Sequence, residues 1–589
     1  MEQVSYHVES VWVKKPVNTD LMDSIVKEFM LNHITAQVLV AKGFKSLDEV
    51  HDYLYTQLPQ LHPPELFKDM NKAIHRIMQA ISRKEYILIY GDNDVDGITG
   101  AALLYEHLNK LGANVDLYIT QPHAIKNSIL LDVKEHAIEH NFQLIITVDC
   151  GITAVDQIKE LTKENISVII TDHHQPTEEI PHCVATLNPR LINSEYPFKG
   201  LTGVGVAFKL AHGITNYCIS KRYIDASFID LKSYLDLVAL GTVADMGPLV
   251  DENRILVRYG LRQLQKTKRE GLIKLFKTCA IEIDSITASD ISLKIAPRIN
   301  SLGRISSPIY GAQLLLETDV KSGENLAKKL DLNNKKRQKI EQTMLTSLEE
   351  KLENDKSIFR NNAIVIASDQ WHPGIVSLLT TRLSKQTNRP CCVISIENGL
   401  GKGSIRSIKT FPLLPSLKRM SNLFVSYGGH DFAAGITIKE ENIETFKNQL
   451  IASANKELTP HDISHEVSID AAVDFNEITL DLIDSLKLLE PYGQENPPPV
   501  FYAVVTQIWL PRIFGKKHMK LFLSQGEIIL EGTAFNRAAD RQKLMKKGLT
   551  LEIAYTPYLV TTDNNPRIQI QIKDFRIKQQ VRKNRRVIY

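Results

Sequence analysis

"YILIYGDNDVDGITG" (Tyr86–Gly100) joins a short aromatic and β-branched run to a glycine and then to three aspartates at alternate positions, Asp92, Asp94 and Asp96. An apolar run of this length and composition reads as a buried strand. Carboxylates this close repel one another unless something cationic binds them. The string "DNDVDG" also begins like a calcium-binding EF-hand loop, with carboxylates at positions 1, 3 and 5 and glycine at 6. That loop needs a bidentate glutamate at position 12 and a helix before it. Position 12 here is Leu103, and the preceding segment is strand-like. The EF-hand reading fails. What remains is a strand ending in a carboxylate cluster, with Gly97 allowing a sharp turn into a helix over Thr99–Leu111.

Outward from this stretch, strand and helix patterns alternate up to about residue 172. Strands are expected at Tyr86–Tyr90, Val115–Ile119, Leu144–Val148 and Val168–Thr171, and helices at Thr99–Leu111, Leu130–Glu139 and Ala154–Leu161. Near-continuous apolar strands alternating with helices predict a parallel sheet covered on both faces. Ligands on such sheets bind at the carboxyl ends of the strands. Three of these ends carry "GDNDVDG", "VDCG" (Asp149) and "TDHH" (Asp172, His173, His174). One aspartate at a strand end is usually an ordinary cap. Three strand ends sharing the pattern converge on one edge, so the first aspartates become one wall of a site completed by Asp149 and the two histidines.

At 589 residues the chain is too long for one core, and three or four domains are expected. The longest apolar runs fall short of the roughly 18 residues that span a membrane. The first residues, "MEQVSYHVES", lack the basic and apolar regions of a signal peptide, so a cytoplasmic protein is expected. Six scattered cysteines with no CxxC pair argue against a disulfide framework or a structural zinc. Net charge is only +3, so any basic binding surface is local.

Gly323–Leu352 reads as a long polar helix leading to a second α/β segment, "AIVIAS", "WHPGIVSLL" and "RPCCVISI". That segment ends in the glycine-rich "GKGSIRS" and "YGGHDFAAG". Two lobes joined by a helix imply a cleft between them. From about residue 465 the period changes to two. About five short strands there fit a barrel of the oligonucleotide-binding type, entered through the rigid loop "PYGQENPPP".

Oxygen and imidazole donors without thiolate favour hard or borderline cations, Mg²⁺ or Mn²⁺, over structural zinc. Five or more anionic ligands can hold two ions about 3.5–4 Å apart, the arrangement that hydrolyses phosphate esters. In the second lobe, "GKGSIRS" and "GGH" offer flexible backbone amides, a lysine, an arginine and a histidine, which suit phosphate oxygens. Each alone is more commonly just a turn.

"DNDVDG", "VDCG", "DHH", "GTVAD" (Gly241–Asp245) and "GGH" together resemble the DHH phosphoesterase superfamily. "LTGVGVAFKL", "YLDLVALGTVAD", "APRINSLGR", "LNNKKRQKIE", "WHPGIVSLLTTRL" and "LEPYGQENPPPVF" narrow the resemblance to its RecJ family, single-stranded-DNA-specific exonucleases that degrade 5′ to 3′. The match runs from roughly residue 40 to 575. The resemblance implies that Asp94, Asp96, Asp149, His173 and Asp245 ligate two Mn²⁺ or Mg²⁺ ions, with Asp149 bridging and Asp92 a ligand or its neighbour. It implies that His174 contacts the scissile phosphate or assists the leaving group, with Asp236 as support further off. Ser404, Arg406 and His430 match substrate-phosphate contacts, and Arg298 and Arg304 a basic wall. The expected divisions are an N-terminal extension (1–70), a metal-binding DHH domain (71–318), a connecting long helix (319–355), a DHH-associated substrate-binding domain (356–460), an OB-type barrel (461–578) and a basic tail (579–589). By the same resemblance, partners are single-stranded DNA, a single-strand-binding protein and a helicase, with roles in DNA repair and recombination.

Two departures stand out. The family's Asn-Arg pair and Gly-Tyr-Gly-Leu run are missing where this chain reads "TQPHAIKNSILL" (Thr120–Leu131), and that arginine helps to hold the 5′-phosphate. Ile405 replaces a usual glycine. On the barrel, Arg512, Lys516, Lys517, His518 and Lys520 form a basic cluster, and the basic run Lys573–Arg586 is either a phosphate-binding tail or a solvated end. A small-oligonucleotide or cyclic-dinucleotide phosphodiesterase would not need the barrel. A non-catalytic DNA-binding relative would have lost metal ligands, and here all are present.

Overall fold

The computed structural model describes residues 10–121, 131–562 and 565–578. The first lobe holds a five-stranded sheet: β1 (Tyr86–Gly91), β2 (Asn114–Ile119), β3 (Phe142–Val148), β4 (Ser167–Thr171) and β5 (Ala185–Leu187). The order is β2-β1-β3-β4-β5 and every pairing is parallel. β5 has no counterpart in the sequence reading, because three residues are too few to show a period.

Helices α1 (Val95–Lys110), α4 (Gly203–Ser220) and α5 (Leu235–Ala244) share one core with Ile87, Ile89, Ile146 and Ile169. On the other face, α2 (Leu131–Glu139) and α3 (Val155–Lys163) pack with Leu88, Tyr90, Ile145 and Ile170. Successive residues of β1 thus enter opposite cores, which is why the run is apolar throughout.

α1 starts at Val95, not at the expected Thr99. Asp94 caps it, accepting from the Asp96 and Gly97 amides at 2.9 and 3.2 Å. Gly97 therefore lies inside the helix and serves close approach, since a Cβ there would stand 2.5 Å from the Asp92 carbonyl oxygen.

The 35-residue helix α6 (Val320–Asn354) leads to the second lobe. Its strands are β6 (Ile364–Ser368), β7 (Cys391–Glu397), β8 (Leu400–Arg406), β9 (Phe424–His430) and β10 (Ala433–Lys439), in the order β9-β10-β8-β7-β6. Only β6 and β7 run parallel. The glycine-rich segments expected as flexible turns are β8 and β9, so the amides of β8 are engaged by strands on both sides. Gly401 and Gly403 are there for packing: a Cβ would meet Ile394 at 2.8 Å and Ile436 at 2.7 Å. Ile405 points into the core of this lobe.

The barrel strands are β11 (Phe501–Gln507), β12 (His518–Gln525), β13 (Ile528–Ala534), β14 (Thr550–Thr562) and β15 (Asn565–Ile577). They run in the order β11-β14-β15-β13-β12, and β12 returns to pair with β11, closing the sheet. The N-terminal helices Thr19–Phe29, His33–Ala41 and Leu47–Leu54 bury Ile25, Leu39 and Leu54 in the same core as Phe501, Met519 and Tyr555. Val11–Lys14 pairs with Glu466–Ile469. Residues 10–54 of the segment read as an N-terminal extension thus cap the barrel, whereas Phe67 and Met70 join the first-lobe core. Arg254, 1% exposed, joins this unit to the first lobe. Its guanidinium lies 3.7 Å from the Tyr53 ring centroid and donates to the Tyr53, Leu489 and Leu488 carbonyls.

Candidate metal centre

Asp149 follows β3 with φ of +62°, a left-handed turn that lifts its carboxylate over the sheet edge, while its amide is held by the Thr171 carbonyl at 2.9 Å. Asp96 lies in the first turn of α1, and its two oxygens accept the Gly203 and Val204 amides at 2.6 and 2.9 Å. The N-terminus of α4 thereby fixes this carboxylate. His173 Nε2 stands 3.0 Å from Asp149 Oδ1, 3.7 Å from Asp245 Oδ2 and 3.8 Å from Asp96 Oδ2. Asp245 reaches the same point from the C-terminal cap of α5.

Three donor groups result, each with its ligand atoms within 4.8 Å of one another: Asp92, Asp94 and Asp149; Asp96, His173 and Asp245; and Asp149, His173 and His174. Asp149 and His173 each belong to two of them. Burial, then the neighbouring carboxylates, push Asp149 and Asp245 well above the ordinary carboxylate range, and burial with Asp94 raises Asp96 to about 7. Burial and the His174 charge lower His173 to about 3, leaving it a neutral donor. Asp149 Oδ1 is buried and, apart from its approach to His173 Nε2, has no hydrogen-bond partner among the described residues. A crowded, buried carboxylate set with a neutral imidazole against its shared oxygen fits divalent cations.

Asp172 takes no part in those groups. Its carboxylate accepts the Ile152, His173 and His174 amides and, at 2.7 Å, His174 Nδ1. Burial opposes charge on His174, but Asp172 outweighs it and raises the imidazole to about 9. His174 therefore stands protonated at the mouth of the site, its ring stacked on His430 of β9 with centroids 5.7 Å apart.

The second lobe faces this edge. Arg406 Nη1 lies 3.4 Å from the Ser404 hydroxyl. Arg304, from the first lobe, donates to the Gly374 carbonyl and the Ser377 hydroxyl at 2.9 and 2.8 Å, bridging the lobes. Arg298 is paired with Asp331 of α6 at 3.0 Å and ties that helix to the first lobe. Asp236 is buried against Thr267 and Arg269 at 2.8 and 3.0 Å.

The sequence models of three families match: the DHH family N-terminal domain over residues 86–242, the DHHA1 domain over 360–456 and the RecJ OB domain over 469–574. The chain is 34% identical over 574 residues to the single-stranded-DNA-specific exonuclease RecJ of Bacillus subtilis (strain 168), covering 96% of this chain and 70% of that one. The chain belongs to the RecJ family. RecJ of Escherichia coli (strain K12) is 30% identical, with 85% of this chain and 88% of the relative covered. The crystal structure of RecJ in complex with Mn²⁺ from Thermus thermophilus superposes with a TM-score of 0.81 at 27% identity, covering 97% of this chain and 80% of that one. A RecJ exonuclease structure bound to manganese matches at 30% identity and a TM-score of 0.57, over 69% of this chain and all of that one. Among the described residues, no helix is long and apolar enough to cross a membrane.

Of the barrel lysines, Lys517 reaches Gln342 of α6 at 3.3 Å, Lys520 pairs with Glu531 at 2.5 Å, and Lys516 is exposed in a left-handed turn with φ of +63°. Arg576, within the basic run, stacks over Trp12 at 4.3 Å, a structural role. Residues 579–586 of that run, the whole expected tail 579–589, and 122–130 of the atypical Thr120–Leu131 segment lie outside the described residues. Sequence reasoning on RecJ motifs missed the buttresses. Gly203 leaves room for Asp149, since a Cβ there would lie 2.5 Å from the Asp149 Cβ. Asn300 accepts the Val95 amide at 3.0 Å, and Asn188 holds the His174 carbonyl at 2.9 Å. "LTGVG" and "PRINSLGR" were visible as strings, but nothing in them says which carboxylate they touch.

Proposed function

We propose that this chain is a single-stranded-DNA exonuclease that hydrolyses phosphodiester bonds from the 5′ end, using Asp92, Asp94, Asp96, Asp149, His173 and Asp245 as the ligand set for two divalent cations. The observation that carries the reading is the sharing of Asp149 and His173 between donor groups, opposite the Ser404, Arg406 and His430 side of the second lobe. Bound there, Mn²⁺ or Mg²⁺ would acidify a water and neutralise charge on the reacting phosphate. Asp172 keeps His174 protonated and oriented, so its imidazolium offers a proton to the departing oxygen. Ser404 and Arg406 present a hydroxyl and a guanidinium to phosphate oxygens. Arg304, locked onto Gly374 and Ser377, keeps the two walls in register. The barrel supports binding of the incoming strand by charge and base stacking. By resemblance to the family, a single-strand-binding protein and a helicase are proposed partners, repair and recombination the proposed setting, and the cytoplasm the proposed location. The test is digestion of single strands labelled at the 5′ or the 3′ end with Mn²⁺, beside the matching duplex. Release of the 5′ label first as a mononucleotide, with the duplex resistant, is expected; loss of the 3′ label first would reverse the polarity.

A further inference from the structure

A pocket of about 550 Å³ lies beside the metal centre, lined by Gln175, Arg190, Phe198, Lys199, Pro248 and Glu495. None of these residues belongs to the ligand set or to the second-lobe wall. The pocket is built from segments that also shape the site: Gln175 follows His174, and Pro248 lies three residues past Asp245. Arg190 is geared to the centre through Asn188, whose side chain donates to the His174 carbonyl at 2.9 Å and accepts the Arg190 amide at 2.7 Å. The Arg190 charge is close enough to act on both His173 and Asp245.

The guanidinium is aimed but unused. Its Nε donates to the Lys199 carbonyl at 3.2 Å, which orients the group. Among the described residues, neither terminal nitrogen has a hydrogen-bond or ion-pair partner. The neighbouring Lys199 ammonium is exposed and, among the described residues, donates only to the Ser194 carbonyl, at 2.8 Å. A half-buried arginine with two free, coplanar N–H edges beside a second cation matches a phosphate bidentately. The Phe198 ring supplies an apolar wall of the kind on which a base or sugar rests.

We propose that Arg190 and Lys199 form a second phosphate subsite, which holds a phosphate of the nucleotide chain other than the one being cleaved. The proposal rests on the exonuclease reading above. The phosphate has two sources, the phosphodiester flanking the scissile bond or the 5′-phosphate of a released mononucleotide.

The experiment compares wild type, Arg190→Ala, Arg190→Lys and Lys199→Ala on a single strand whose flanking phosphodiester is either native or a neutral methylphosphonate. Inhibition by a 5′-mononucleotide is measured alongside. Wild-type digestion of the native strand, in the same series, tests the exonuclease reading separately. Expected for Arg190→Ala is a fall in kcat/KM of about ten- to a hundredfold, carried mainly by KM, with Arg190→Lys intermediate. If the strand supplies the phosphate, the methylphosphonate lowers kcat/KM in wild type but adds nothing in Arg190→Ala. If the mononucleotide supplies it, the methylphosphonate is silent and Arg190→Ala weakens product inhibition by the same factor. A purely structural arginine would give effects that multiply with the methylphosphonate and leave product inhibition unchanged; that result overturns the proposal. So does kcat/KM within about twofold of wild type in Arg190→Ala. Retention of the Mn²⁺-dependent rise in Tm shows the variant to be folded. Should Arg190→Ala not fold, Lys199→Ala carries the same cycle on an exposed residue, with a smaller expected loss and the same overturning result.

Discussion

Gly203→Ala adds one methyl group at the N-terminus of α4, and the geometry makes that methyl a direct probe of the metal centre. The new Cβ would lie 2.5 Å from the Asp149 Cβ and 2.7 Å from its Cγ and Oδ1, where ordinary contact begins at 3.4 Å. Something must move by about 1 Å. Asp149 cannot pivot freely, because its backbone is left-handed and its amide is tied to Thr171. If α4 retreats instead, Asp96 loses the Gly203 and Val204 amides, each a hydrogen bond to a charged group of about 1.5–3 kcal/mol. Either movement spoils the ligand set, and misplacing a reacting group by 1 Å costs on the order of a hundredfold. The expected result is a fall of about a hundredfold or more in kcat/KM on single-stranded DNA with Mn²⁺. The Mn²⁺-induced rise in Tm should be lost with it, because the cation stabilises only a fold that binds it. Far-UV circular dichroism should be unchanged, since alanine suits a helix. Activity within about threefold of wild type, with the Mn²⁺ shift intact, would refute the claim that α4 positions the ligands.

Asp149→Ala removes the carboxylate common to two donor groups, and nuclease activity should fall below a few per cent at saturating Mn²⁺; higher retention would sink the shared-ligand reading. Burial lowers His107 to about 3, so below pH 6.5 the unfolded chain takes up a proton that the folded chain refuses, and stability falls with acid through that window. At pH 5 the loss is about 1.5 × 1.36, or roughly 2 kcal/mol, and His107→Phe should abolish that increment between urea melts at pH 7 and pH 5; an equal drop in both proteins would contradict it. Truncation after residue 460 alone should yield an aggregating protein, because Ile25, Leu39 and Leu54 lose the barrel core they share. Removing residues 1–54 as well should restore solubility and hydrolysis of very short oligonucleotides, with weaker, less salt-dependent binding of long strands; equal binding at every salt concentration would show the barrel not to be the strand holder.

The local sequence determined the elements and the chemistry that each carries. Apolar runs bounded by acidic residues placed Asp92, Asp94, Asp96, Asp149 and His173 at strand ends, since strand period and burial on both faces are written in consecutive residues. The change to period two located the barrel in the same way. Tertiary structure alone decided the rest, because contacts between distant segments leave no periodic trace. Glycines in "GKGSIRS" looked like turn residues, but ladder pairing with β7 and β10 on either side made them strand residues, packed against isoleucines where a Cβ would not fit. Asp172, Asp94 and Asp149 are alike in sequence. Asp172 became a histidine's anchor because the Ile152, His173 and His174 amides surround it. Asp149 came to belong to two donor groups because Gly203, 54 positions on, leaves it room. The N-terminal helices cap a barrel more than 400 residues away, and Arg254 joins that unit to the catalytic lobe through carbonyl groups, which have no side-chain identity to read.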